Sequence, residues 1–387
     1  MRNLLIGLTV IGGLALAGRP RTGDETPPSP SQAADPLDAA LSEPVPGLFP
    51  DGLPVAIQEV PEGLASISAQ SCNACHWAAH DQWQDTAHAS AWRSPSYQAA
   101  IERAGNATVC TQCHLPLANQ HAKLATSYID EDLSRPILED NPAWDATLMA
   151  EGIGCAGCHV REGTVLGVRE APGAPHPVTA STELTDSAAC ATCHQLSWPG
   201  GDRPFYDTYG EWDRSVYKQA GVDCQDCHMP PVAAPVAAST FAGQASHTFS
   251  ADLARAVTAL VSMPSPDIQR GVPVTVALRV LNTGSGHHFP TGSPFKSYRL
   301  SVELLGADGS SIAEPLVYDF ARVVEEVPPY LTLSDSRIPA GGEVELVWDL
   351  EVEQSEAAQG GIIRIAIQPV GTGERPVTLQ DIPVKIL

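Results

Sequence analysis

The sequence predicts α and β structure in separate regions: a mostly irregular, partly helical stretch followed by an antiparallel β domain. Three observations predict it. All ten cysteines fall between Cys72 and Cys227. From about Asp267 onward there is no cysteine, and apolar residues alternate with polar ones. Finally, 34 prolines and 32 glycines in 387 residues require much irregular backbone. A chain of this length can carry two or three domains with real cores.

The alternation identifies the β region. Val274, Val276, Leu278 and Val280 share one face, with Thr275 and Arg279 on the other. Tyr298, Leu300, Val302 and Leu304 repeat the pattern, as do Val344, Leu346, Trp348 and Leu350. Ile363, Ile365 and Ile367 make a fourth run, and Val377–Leu379 and Val384–Leu387 add two more. Period-two runs between Gly, Pro, Asp and Ser turns predict a sheet with one face buried. About 120 residues of this, over 265–387, fit a β-sandwich of immunoglobulin-like type, although a barrel gives much the same pattern. Upstream, over 62–255, helical pieces are expected only between cysteine motifs, at Trp77–Trp92 and Tyr209–Gln219. Little apolar periodicity is present there, so something other than side chains must fill that core.

Residues 1–17 have the pattern of a secretory signal: Arg2, an apolar run from Leu4 to Leu16, and Ala15-Leu16-Ala17 as a cleavage site. The run is too short for a comfortable membrane span, and no second stretch is long enough. Arg19 stands where a lipoprotein needs cysteine. The expectation is an exported chain, periplasmic or extracellular, with no membrane span once mature. Residues 18–61, rich in Pro, Ala, Ser, Asp and Glu, are expected to form a flexible linker. Acidic residues outnumber basic ones by 45 to 22, for a net charge of −23. That excludes nucleic acid as a partner class and suits a basic protein partner or plain solubility.

Five times the chain reads Cys-x-x-Cys-His: Cys72/Cys75/His76, Cys110/Cys113/His114, Cys155/Cys158/His159, Cys190/Cys193/His194 and Cys224/Cys227/His228. All ten cysteines are consumed. This is the attachment motif of c-type haem, covalently bound iron protoporphyrin. Two thiols three positions apart reach the two vinyl groups of one porphyrin edge, and the next histidine turns its imidazole under the iron. Zinc sites join cysteine pairs in twos, and five pairs leave one over. A disulfide framework does not explain the histidines, and a redox dithiol explains one motif, not five. First cysteines are separated by 38, 45, 35 and 34 residues, so five haems lie close together and form much of the core.

Each iron has a second axial position. Twelve histidines less five proximal ones leave seven: His80, His88, His121, His176, His247, His287 and His288. His80 lies one turn from His76 on the same face and cannot reach the far side of that haem. His88 is well placed for a neighbouring haem, and His287 and His288 are alternatives within one loop. The methionines that compete are Met149, Met229 and Met263, and Met229 adjoins proximal His228. Histidine on both faces gives a lower potential than histidine with methionine.

The first motif continues His76-Trp-Ala-Ala-His-Asp-Gln-Trp-Gln-Asp-Thr-Ala-His88. Before the fifth stand Glu211-Trp212-x-x-Ser215-x-Tyr217, and that motif reads Cys-Gln-Asp-Cys-His-Met-Pro. Downstream comes Asn282-Thr-Gly-Ser-Gly-His287-His-Phe-Pro-Thr-Gly292. In these segments the sequence resembles the multihaem c-type cytochromes related to the tetrahaem carrier cytochrome c-554, over roughly residues 70–305. The fifth motif and the β domain depart from the tetrahaem type. The resemblance implies distal ligands at His88, His121, His176, His247 and His287.

The function expected is electron transfer with redox partner proteins. The alternatives are a multihaem oxidoreductase acting on a small nitrogen or sulfur compound, or self-association into a conducting filament. Catalysis needs an open iron, and five distal histidines for five irons argue against an enzyme.

Overall fold

The computed structural model describes residues 48–49, 53–103, 108–131, 135–198, 200–237 and 243–387, all within one compact unit. The expected signal at 1–17 and the linker as far as residue 47 lie outside the described residues. The end of the expected linker is packed rather than slack. Leu48 is buried, and Val55 N–H donates to the Pro116 carbonyl at 2.7 Å. Gln58 N–H donates to Asn119 Oδ1 at 2.8 Å, and Asn119 Nδ2 returns a bond to the Gln58 carbonyl. Paired amides allow a polar segment to be buried without orphaned groups.

The alternating runs form strands. Thr258–Ser262, Val274–Leu281 and Glu343–Leu350 make a three-stranded antiparallel sheet. A five-stranded sheet runs Asp267–Ile268, Val377–Ile386, Gly360–Pro369, Tyr298–Leu305, Leu316–Phe320. It is antiparallel except at its two-residue edge strand. The apolar faces of both sheets join one buried cluster that includes Val276, Leu278, Leu300, Val302, Ile363 and Ile365. Burying each such side chain stabilises the fold by about 1.5–3 kcal/mol. The β region begins at Thr258, ahead of the expected 265.

Val377–Leu379 and Val384–Leu387, expected as two strands, form one strand, Val377–Ile386. Pro383 interrupts the pattern without interrupting the strand. The adjoining edge strand pairs only with Lys385 and Ile386, so the missing N–H of Pro383 costs no ladder bond. The alternation did not reveal Thr258–Ser262, Leu316–Phe320, Arg322–Val324 or Thr332–Asp335.

In the cysteine-bearing stretch the longest helix is Ala69–Trp83, capped by Ser68, whose hydroxyl accepts from Ser71 N–H. It starts earlier than the expected Trp77–Trp92 and ends at Trp83. The expected Tyr209–Gln219 is two helices, Thr208–Asp213 and Val216–Gln219. Ser215 divides them, its hydroxyl accepting from Tyr217 N–H at 3.2 Å. Among the described residues, side-chain clusters here hold only five and three buried residues, against twenty in the β region. That contrast agrees with a core completed by a cofactor.

Candidate haem sites

Each Cys-x-x-Cys-His unit sits on a helix that contains or ends at its histidine: Ala69–Trp83, Thr108–His114, Cys155–His159, Ala188–His194 and Cys224–His228. One turn places the two thiols on one side and the imidazole beside them. In the first helix His76 leaves helical geometry (φ −100°, ψ 40°), which frees its ring to turn away.

Four of these imidazoles are held by backbone carbonyls through Nδ1. His76 donates to Val236 at 2.6 Å, His114 to Ala91 at 2.7 Å, His159 to Leu166 at 2.8 Å and His228 to Ser250 at 3.0 Å. A carbonyl only accepts, so Nδ1 carries the proton and Nε2 keeps its lone pair for a metal. His247 and His287 are oriented in the same way, by the carbonyls of Ala245 at 2.9 Å and His288 at 3.0 Å. Burial holds His88, His114, His159 and His287 below the ordinary imidazole pKa and pushes His194 and His247 down to about 4. These rings are therefore neutral at pH 7, the form that can ligate.

The rings then meet in twos. His76 faces His176, and His159 faces His247, each with centroids 6.3 Å apart. His194 faces His88 at 6.4 Å, and His228 faces His287 at 6.3 Å with ring planes 10° apart. A metal–imidazole bond of about 2 Å plus about 1.1 Å from nitrogen to ring centre puts two rings on opposite sides of one metal about 6.2 Å apart. The donor set fits haem iron. Among the described residues no three His, Cys, Asp or Glu side chains converge as a structural zinc site requires.

The second motif differs. Among the described residues the ring against His114 is Tyr97, stacked at 3.6 Å and 11°. His121, expected as a distal ligand, is placed otherwise: its Nε2 lies 2.7 Å from the Leu115 carbonyl. The 3-10 turn Ala118–Gln120 just before it directs the ring back along its own segment. His80 packs beside Trp83 at 5.5 Å and, among the described residues, pairs with no other imidazole.

The thiols adjoin one another between motifs. Cys72 lies beside Cys155, Cys113 beside Cys193, and Cys190 beside Cys224, with Cys158 near both Cys190 and Cys193. Cys75 and Cys227 are exposed, whereas the other eight cysteines are half-buried. In the first and fifth motifs it is Cys72 and Cys224 that face another motif, which leaves Cys75 and Cys227 on the outer flank of their helices. Exposure does not remove Cys75 from the motif, since it still stands one turn from Cys72 on the helix Ala69–Trp83.

The family model for cytochrome c554 and c-prime matches residues 71–135, which include the first two motifs. A solved penta-haem cytochrome c552 from Thermochromatium tepidum matches with a TM-score of 0.58 at 18% identity. The match covers 84% of this chain and 100% of that one. Residues 71–135 thus match a c-type cytochrome family model, and the fold of the chain is similar to that of a penta-haem cytochrome. Both support c-type haem as the cofactor, in agreement with the resemblance seen in the motifs.

A DNA-bound alkylpurine DNA glycosylase from Pseudomonas fluorescens matches over 34% of this chain and 30% of its own, at 10% identity and a TM-score of 0.20. A CARDB domain from Pyrococcus furiosus matches over 34% and 87%, at 14% identity and a TM-score of 0.19. Scores this low carry no argument. No curated protein matches the sequence. Among the described residues no helix is long and apolar enough to cross a membrane.

The loop that carries His287 is built against the haem-bearing stretch. Gly284 lies so close to the Arg255 carbonyl that a Cβ there would sit 1.5 Å from it, and a Cβ at Gly286 would crowd Trp212 at 3.2 Å. Of the loop's three glycines only Gly292 has positive φ (+88°), and Gly284 and Gly286 are needed for close approach.

Glu211 organises this junction, with 1% of its side chain exposed. Its Oε2 accepts from His288 N–H at 3.1 Å and from the Thr291 hydroxyl at 2.6 Å. Its Oε1 accepts from Arg337 Nη1 at 2.7 Å and lies 3.2 Å from His288 Nδ1. His288, a ligand candidate in the sequence, is thus held by a carboxylate, with burial keeping its pKa low. Tyr217 O–H donates to the Thr283 carbonyl, and Trp212 Nε1 donates to the Val222 carbonyl at 2.9 Å. The Glu211-Trp212-x-x-Ser215-x-Tyr217 segment was visible in the sequence, but its role was not.

Proposed function

We propose that this cytochrome is an exported electron carrier, periplasmic or extracellular, with five covalent haems in one conducting cluster and redox proteins as partners. The observation that carries the reading is the four imidazole pairs at 6.3–6.4 Å. They support His176 as the second ligand of the haem of His76, His247 of that of His159, His88 of that of His194 and His287 of that of His228. The adjoining thiols support an order of neighbours: first, third, fourth and fifth haem in a row, with the second beside the fourth. In such a row the cofactors supply electron transfer, and the protein supplies spacing, ligands and shielding from solvent. The first and fifth haems, the two ends of the row, are where electrons enter and leave. The β region, read as an immunoglobulin-like sandwich, serves as the clamp that delivers His287.

Intact-mass measurement of the mature chain tests the count. The expected result is a chain beginning near Gly18 and carrying five haem masses. Four or fewer on fully matured protein overturns it.

One observation favours a second reading. The stack of Tyr97 on His114, with His121 turned to Leu115, supports one iron without a second histidine. An open iron is what an oxidoreductase acting on a small nitrogen or sulfur compound requires. Carbon monoxide titration of the reduced protein separates the two: one molecule bound per chain supports an open iron, and none removes it.

A further inference from the structure

Arg161 stands two residues after His159, the proximal histidine of the third motif. The corresponding places after the other four motifs hold Ala78, Pro116, Leu196 and Pro230, so a charge there is peculiar to the third. The half-buried guanidinium bends back over the attachment helix Cys155–His159. Its Nη2 donates to the Gly157 carbonyl at 2.8 Å, and its Nη1 to those of Val160 at 2.6 Å and Ala156 at 3.4 Å. Ala156 and Gly157 are the two residues between Cys155 and Cys158, so the charge is fixed beside the segment that bears both thiols. The same guanidinium donates to the Leu48 carbonyl, from Nη2 at 3.2 Å and from Nε at 3.4 Å, and lies 5.0 Å from the centre of the Phe49 ring.

All of these partners are neutral. Charges withdrawn from water are ordinarily paired, yet among the described residues no carboxylate forms an ion pair with Arg161. Glu183 acts on it from farther off, but Glu183 is exposed and solvent screens it. At the opposite end of the helix a Cβ on Gly154 would sit 3.2 Å from Glu151 Oε2. Both oxygens of that carboxylate accept from Ala69 N–H, at 3.0 and 2.9 Å, on the helix of the first motif. Arginine does not lose its proton in a protein, so the Arg161 charge is permanent. It also suits the carbonyl end of a helix, where cations are favoured.

We propose that Arg161 sets the potential of the haem attached at Cys155 and Cys158, holding it above the value that site would have without the charge. The inference rests on the cofactor reading above. A ferrous haem carries one positive charge fewer than a ferric one, so a fixed cation beside it favours the reduced form. In the proposed row the third haem stands between the first and the fourth, so an electron crossing from end to end passes it. The cover of Leu48 and Phe49 limits the water that would otherwise screen the charge.

The test is a potentiometric titration of the ferric low-spin signals of the full holoprotein, followed by electron paramagnetic resonance. The signal that His247→Ala removes identifies the third haem. In Arg161→Gln that signal should titrate at a lower potential, with a larger shift than any other. Arg161→Lys keeps the charge but not the fork, and its midpoint should stay near that of the native protein. Phe49→Ala should open the segment at Leu48 to proteolysis and leave the midpoint in place. Phe49→Glu should lower the midpoint by pairing the charge, which covers the case of an Arg161→Gln protein that does not fold. An unchanged midpoint in Arg161→Gln, or in Phe49→Glu where Arg161→Gln does not fold, overturns the proposal. So does an equal fall in Arg161→Lys and Phe49→Ala, because lost packing rather than lost charge would then be the cause. Absence of haem at Cys155 and Cys158 by peptide mass would instead overturn the cofactor reading itself.

Discussion

His287→Ala is expected to turn one haem, that of Cys224 and Cys227, from low to high spin and to leave the others unchanged. His287 faces His228 across 6.3 Å with nearly parallel rings, and its Nδ1 is occupied by the His288 carbonyl. Without it that iron has no imidazole on its distal side. Added imidazole should restore the low-spin spectrum, since the pocket remains. The loop Asn282–Gly292 should also become a site of limited proteolysis, because a bond to iron no longer ties it down. His288→Ala should keep every haem low-spin, since the backbone N–H that reaches Glu211 survives the substitution. If His288→Ala creates the high-spin haem and His287→Ala does not, the assignment within this loop is wrong.

Glu211→Ala is expected to be the most destabilising single change at the junction. It removes the acceptor for His288 N–H, Thr291 and Arg337 together and leaves the Arg337 guanidinium buried beside Asp335 alone. Removing one partner of a buried ion pair costs about 3–5 kcal/mol. Glu211→Gln keeps an acceptor but not the charge, and should fall between Ala and the native protein. Denaturant unfolding of the holoprotein gives the ranking, and the spin state of the fifth haem should follow it. A Glu211→Ala protein of native stability would remove Glu211 from the account.

The proximal half of each site was legible because it is local: two cysteines and a histidine within one turn dictate where the imidazole sits. How deeply each thiol lies was not, because burial depends on which motif packs against it, and Cys75 and Cys227 end up exposed. The distal half was legible only as a set of candidates. His176, His88, His247 and His287 come to their partners from far along the chain, and tertiary packing alone pairs them. His121 shows the limit: it follows the second motif closely, yet a short turn sends it to the Leu115 carbonyl. The strands with clean alternation were legible for the same local reason. Thr258–Ser262 and Thr332–Asp335 were not, being short segments that pair without a regular apolar face. Glu211 stood in a segment the sequence singled out, but its partners His288, Thr291 and Arg337 lie far downstream, where no local pattern announces them.

The central claim is that His76 with His176, His159 with His247, His194 with His88 and His228 with His287 each hold one iron from both faces. Electron paramagnetic resonance of the fully ferric holoprotein tests it most directly. The account predicts four low-spin bis-imidazole haems, whatever the iron at His114 binds. Fewer than four would contradict it.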